Sequence, residues 1–206
     1  MNDRNILKFP HCGIGTKKLS YFSGIAKADE NVSSNQKAVN HLATVAIENF
    51  TTIAGFHWRY SYHMQEFYDK LLVPNYNNNW SLKVFKALQP RGMLLRTNLH
   101  GIGRHSQEEI AQFSFQDLDA LSELLGDKPF FSGKNPGAVD CTMFGHLVQF
   151  VYIPMDIPQK AYIKEKCPNL AEFVDRMRIL LWPDWEDMCQ GNCMEGKKAL
   201  DLANVK

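Results

Sequence analysis

Two short boxes, Ser33-x-x-Gln36 and Ser106-x-x-Glu109, each stand before an apolar run with a three- to four-residue step. That pairing marks a helix start. The Ser hydroxyl accepts the backbone N–H three residues on, and the Gln or Glu side chain reaches back to the N–H of the Ser. After the first box, Val39, Leu42, Ala46, Phe50, Ile53 and Ala54 fall on one face of a 3.6-residue period. The spacing predicts one long helix running to about Leu72. After the second box, Ile110, Phe113, Leu118, Leu121 and Leu125 repeat the pattern, and Gly126 supplies the stop.

Between these two, Asn75 to Asn79 reads as a polar turn, with a helix starting near Ser81. Pro90 has no N–H to donate, so a kink or break is expected there. Further on, Gly137 to about Pro154 reads as a buried helix with Met143, Phe144, Leu147, Val148 and Val151 inward. Pro158 to Lys166 is a short helix. Pro168 suits the first turn of the next, which buries Leu170, Phe173, Val174, Met177 and Leu181 before Pro183 ends it. No segment alternates as a strand would. The expectation is an all-α domain of about six helices over residues 33–185. Residues 1–32, punctuated by Pro10, Gly13, Gly15 and Gly24, form an irregular segment with a turn or two of helix at Lys17 to Phe22. Residues 186–206 form a polar tail.

Composition narrows the function classes. Hydrophobic residues at 45% are enough for a real core. Twenty-three Lys and Arg against 22 Asp and Glu leave a net charge of +1, which argues against a nucleic-acid binder. Five cysteines, an odd and irregular set, point to reduced thiols. The uncharged stretch from Cys141 to Met155 is short of the roughly 20 residues of a membrane span, and no secretory signal is visible. A cytoplasmic protein without an integral membrane segment is expected.

The chemistry-bearing residues divide as follows. Asp140 stands at the third position of its helix, where it can accept the Gly137 N–H and face the positive helix end. Such a cap is worth about 1 kcal/mol. His100-Gly101-Ile102-Gly103-Arg104-His105 bends the chain into the second box. Arg104 beside a helix start is an anion-binding candidate. Helix entry is the better reading, since no Lys-Ser/Thr follows as in a P-loop. His11, His41, His57, His63, His100, His105 and His146 form no helical metal couple. Cys189 and Cys193 would need two further ligands, so no metal is expected. His146 reads as a hydrogen-bonded core residue. Cys12 follows Pro-His but lacks a CxxC partner. No nucleophile–base or paired-carboxylate set can be assembled, and no catalytic residue is assigned.

Several segments together resemble the failed-axon-connections family, which is related to metaxins. Leu124-Leu125-Gly126-Asp127-Lys128-Pro129-Phe130-Phe131 is similar to the connector of glutathione-transferase-like C-terminal domains. Val139 to Leu147, His100 to Ile110, Cys167-Pro168-Asn169-Leu170 and Trp182-Pro183-Asp184-Trp185 resemble that family's elements in the same order. The resemblance covers roughly Ser33 to Trp185. It implies a glutathione-transferase C-terminal-like helical bundle behind a thioredoxin-like domain of roughly 75 to 80 residues. Only the 32 residues before the first box could hold such a domain here, so most of it is expected to be missing. Glutathione, which the thioredoxin-like part holds in transferases, is then expected only if that part is supplied.

The resemblance also singles out the first helix, which lines the substrate cleft in transferase-like folds. Trp58 and Arg59 are its ligand-binding candidates, as a flat surface and a fixed charge. Alternatively Trp58 packs in the core and Arg59 pairs with a neighbouring acid. The leading expectation is a non-catalytic interaction module linked to axon development or to stress or metal response. It would use a protein partner or self-association through the apolar face left uncovered. The alternatives are a glutathione-dependent transferase and a metaxin-like component of the mitochondrial surface.

Overall fold

The computed structural model describes residues 32–64, 66, 80–183 and 185–186, without the side chains of residues 80–83, 85 and 86. The expected turn at 75–79, the segments 1–31 and 187–206, and any helix beyond residue 66 lie outside the described residues.

The described chain is all helical, apart from one antiparallel bridge between Phe130 and Gly133. α1 (Ser34–Ala46) starts at Ser33, whose Oγ accepts the Gln36 N–H at 3.2 Å. The Gln36 side chain turns forward to Asn40 Oδ1 (2.8 Å) instead of back to Ser33. A π turn (Ile47–Thr51) joins α1 directly to α2 (Thr52–Ser61). α3 (Trp80–His100) runs through Pro90 without a break. Near the proline, the Arg91 guanidinium donates to the Ala87 carbonyl at 2.9 Å, adding a side-chain bond to the backbone ladder.

α4 (Gln107–Leu125) carries the full Ser106–Glu109 capping box and ends at Gly126, whose φ of +54° favours glycine. α5 (Ala138–Val151), α6 (Pro158–Lys166) and α7 (Pro168–Leu181) complete the bundle. With α1 and α2 counted as one continuous rod, six rods pack together, as the sequence periodicity predicts.

The π turn changes which face of the first rod is buried. One extra residue in a turn rotates everything after it. Ala43, Ile47 and Thr51 point inward, while Leu42 and Phe50, expected inside, are 68% and 53% exposed. α2 is then buried on nearly every side. Phe113, also expected inside, is partly exposed against His105.

The main core is apolar. Leu118, Leu121 and Leu125 of α4, Met143, Phe144, Leu147 and Val148 of α5, and the whole expected face of α7 meet there. Asp140 lies fully buried at its edge. Its carboxylate accepts the N–H groups of Phe131 (2.6 Å), Gly137 (2.8 Å) and Ser132 (3.2 Å). It therefore holds the 130–137 connector as well as the start of α5. A smaller cluster of Ile53, Ala54, Trp58, Ile102, Ile110 and Ala111 packs around α2. Among the described residues, no helix is long and apolar enough to cross a membrane.

Candidate functional site

The concentration of buried polar groups is on α2. Gly55 sets the approach of its neighbour, α5. A Cβ there would lie 2.6 Å from the Phe150 ring, so only glycine allows the crossing. Either side of that crossing, polar side chains pair. Thr52 Oγ1 lies 2.8 Å from His146 Nδ1. Arg59 donates from Nη1 to Gln149 Oε1 (3.1 Å) and from Nη2 to the Gln149 carbonyl (3.3 Å).

The Gln149 carbonyl is one of the last four of α5, which have no helical partner of their own. Arg59 therefore caps α5 from a neighbouring helix, where the dipole favours a cation. It has no carboxylate partner, and its Nε is buried without an acceptor. Burial pushes its pKa down to about 10. Its guanidinium also sits 5.5 Å from the centre of the Phe56 ring.

On the opposite side of α2, His57 Nδ1 meets Thr97 Oγ1 (2.9 Å) and His57 Nε2 meets Ser61 Oγ (3.1 Å). Gln89 donates to the Tyr60 hydroxyl at 3.1 Å. At the π turn, Thr51 donates to Asp117 Oδ2 at 2.7 Å. Burial raises the Asp117 pKa and lowers those of His57 and His146. Glu48 opposes the His146 shift from 3.9 Å, too far for a hydrogen bond. Glu48, His146 and Thr52 thus align a carboxylate, an imidazole and a hydroxyl. The Thr52 hydroxyl is buried, however, and closed to an incoming substrate. The set orients helices and holds a proton.

The remaining candidates have separate partners. Trp58 is buried, its ring against Tyr62 and His63, with Nε1 unpartnered. Arg104 is exposed and its Nε donates to the Asn98 carbonyl at 2.9 Å. It closes the α3–α4 corner, where Gly101 has φ +109° and a Cβ on Gly103 would come within 2.8 Å of Asn98 Oδ1. Trp58, Arg59 and Arg104 do not converge on one ligand position. Among the described residues, no three His, Cys, Asp or Glu side chains gather as a metal site.

Sequence reasoning missed the partners Thr97, Gln149 and Asp117. The glycines Gly55 and Gly145 were the available signal, marking a close helix crossing with polar residues at helical steps beside it.

The outer surface of this half is apolar. Val84, Leu88, Leu95 and Leu99 recur at four- and seven-residue steps along α3 and are all exposed. On the first rod, Leu42, Val45 and Phe50 form a second stripe. The Phe50 ring packs edge-on against His100 at 5.7 Å, which brings the two stripes together.

Comparison with known proteins fits this architecture. Residues 115–177 match the glutathione S-transferase C-terminal domain family. The chain is 34% identical to Failed axon connections of Drosophila melanogaster over 78% of its own length and 41% of the relative's. It is 36% identical to isoprene-epoxide–glutathione S-transferase of Rhodococcus sp. (strain AD45) over 39% of this chain and 34% of that one. It is 33% identical to a metaxin-1 homolog of Caenorhabditis briggsae over 43% and 28%. The matches span less than half the length of each relative. No solved structure matches the chain. The protein belongs to the glutathione-transferase-like family and is related to Failed axon connections and the metaxins.

Proposed function

We propose that this chain is a non-catalytic helical interaction module of the cytoplasm, and that its apolar stripes dock protein, in the first instance a second copy of the chain. The observation that carries the reading is the face of Val84, Leu88, Leu95, Leu99, Leu42, Val45 and Phe50. Single exposed apolar residues are ordinary, but a contiguous set at helical spacing marks a contact surface. Two antiparallel rods offer a self-complementary ridge and groove, which a two-fold pairing can cover. The polar pairs on α2 orient helices and are closed to substrate, which supports a role in scaffolding. The relationship to Failed axon connections supports a tie to axon development.

Sedimentation of the full chain across a concentration series tests this. The mass should rise with concentration for the native chain and stay monomeric for Leu88→Asp/Leu95→Asp/Leu99→Asp. A native chain that is monomeric throughout contradicts the reading.

The transferase-named bacterial relative favours a second reading, a glutathione-dependent activity of a longer form. Calorimetric titration with glutathione separates the two. The module reading expects no heat of binding from this chain.

A further inference from the structure

A cleft of about 360 Å³ lies between α1 and the start of α5, away from the α2 pairs and the apolar stripes. Lys37, Asn40, His41 and Thr44 line one wall, at steps of three and four along α1, and Thr142 stands on the other. Val32, Ala138 and Val139 complete the lining, which contains no acid. Asn40 Oδ1 is already taken by Gln36, so its amide N–H groups face outward as donors. Among the described residues, the side chains of Lys37, His41, Thr44 and Thr142 have no hydrogen-bond or ion-pair partner. Asp140, the nearest helix-start carboxylate, is spent on three backbone N–H groups of the connector.

The wall therefore offers donors and one fixed cation, and nothing that would repel an oxyanion. A volume of this size would hold about a dozen waters at ~30 Å³ each, more room than a bare inorganic ion needs. The valines give an apolar body something to touch.

We propose that this cleft binds a small organic oxyanion, a phosphate or carboxylate group on a short apolar body. Lys37 supplies the charge, and Asn40, His41, Thr44 and Thr142 supply hydrogen bonds.

Amide spectra of the full chain titrated with inorganic phosphate, glycerol phosphate and butyrate test this. The expected result is saturable shifts confined to residues 37–44 and 138–142. Lys37→Gln and the near-isosteric Thr142→Val should each weaken binding, Lys37→Gln by about tenfold. Lys164→Gln, on exposed α6, should change nothing. Tighter glycerol phosphate would assign a phosphate ligand, and tighter butyrate a carboxylate. Shifts that stay linear with concentration, spread over exposed lysines or survive Lys37→Gln would overturn the proposal.

Discussion

Around α5 and α7 the interior is apolar and the charged groups lie outside. Around α2 and α3 much of that order is reversed. There the buried layer holds His57, Thr97, Arg59 and Thr52, while leucines and a phenylalanine face outward. The first region needs no partner, because burying apolar area stabilises it outright. The second is held by hydrogen bonds, each of which adds only about 1 kcal/mol net but costs more when broken. Its apolar surface is left to be covered by something else. One chain thus combines a self-sufficient core with a half whose exterior suits a partner.

The sharpest way to break the comparison is at Asp140. Asp140→Ala strands three buried or half-buried N–H groups, so it should destabilise the fold by about 3–4 kcal/mol. Chemical denaturation measures this. A loss near the 1 kcal/mol of a simple cap would mean that the connector does not depend on it.

Gly55→Ala acts where the two halves meet. Its methyl would press on the buried Phe150 ring, at a cost of about 1–3 kcal/mol. The same measurement should show it second to Asp140→Ala.

Acid distinguishes the halves more gently. Burial lowers the pKa of His57 and His146, so the unfolded chain binds protons more readily than the folded one. Their contribution is complete above the unfolded value of about 6.5 and is lost as pH falls below it. Thermal melts at pH 7.5 and pH 5 should show the drop. His57→Gln should reduce it, and an unchanged drop would remove His57 from the account.

The smallest effect on stability belongs to the stripe. Leu95→Asp and Leu99→Asp lie on the exposed face and should change folding free energy by no more than about 0.5 kcal/mol.

The self-sufficient half was legible in the sequence. The α7 face, Gly126 and the Ser106–Glu109 box act through local periodicity and capping, which a single sequence displays directly. The α2 half was less so. A π turn has no 3.6-residue signature, so the reading put Leu42 and Phe50 on the buried face when the turn rotates them out. Pro90 was read as a break, yet α3 continues through it. Arg59 was weighed against an acidic partner, and its actual partner is Gln149, ninety residues away. Pairings at that separation depend on how rods cross, which neither spacing nor composition states.

Amide hydrogen exchange along α3 at low and high protein concentration tests the central claim most directly. If the stripe docks a second copy, residues 84–99 should gain protection as concentration rises, while α7 stays unchanged. The Leu88→Asp/Leu95→Asp/Leu99→Asp variant should lose that gain. Equal protection at both concentrations, with α3 as slow to exchange as α7, would contradict it.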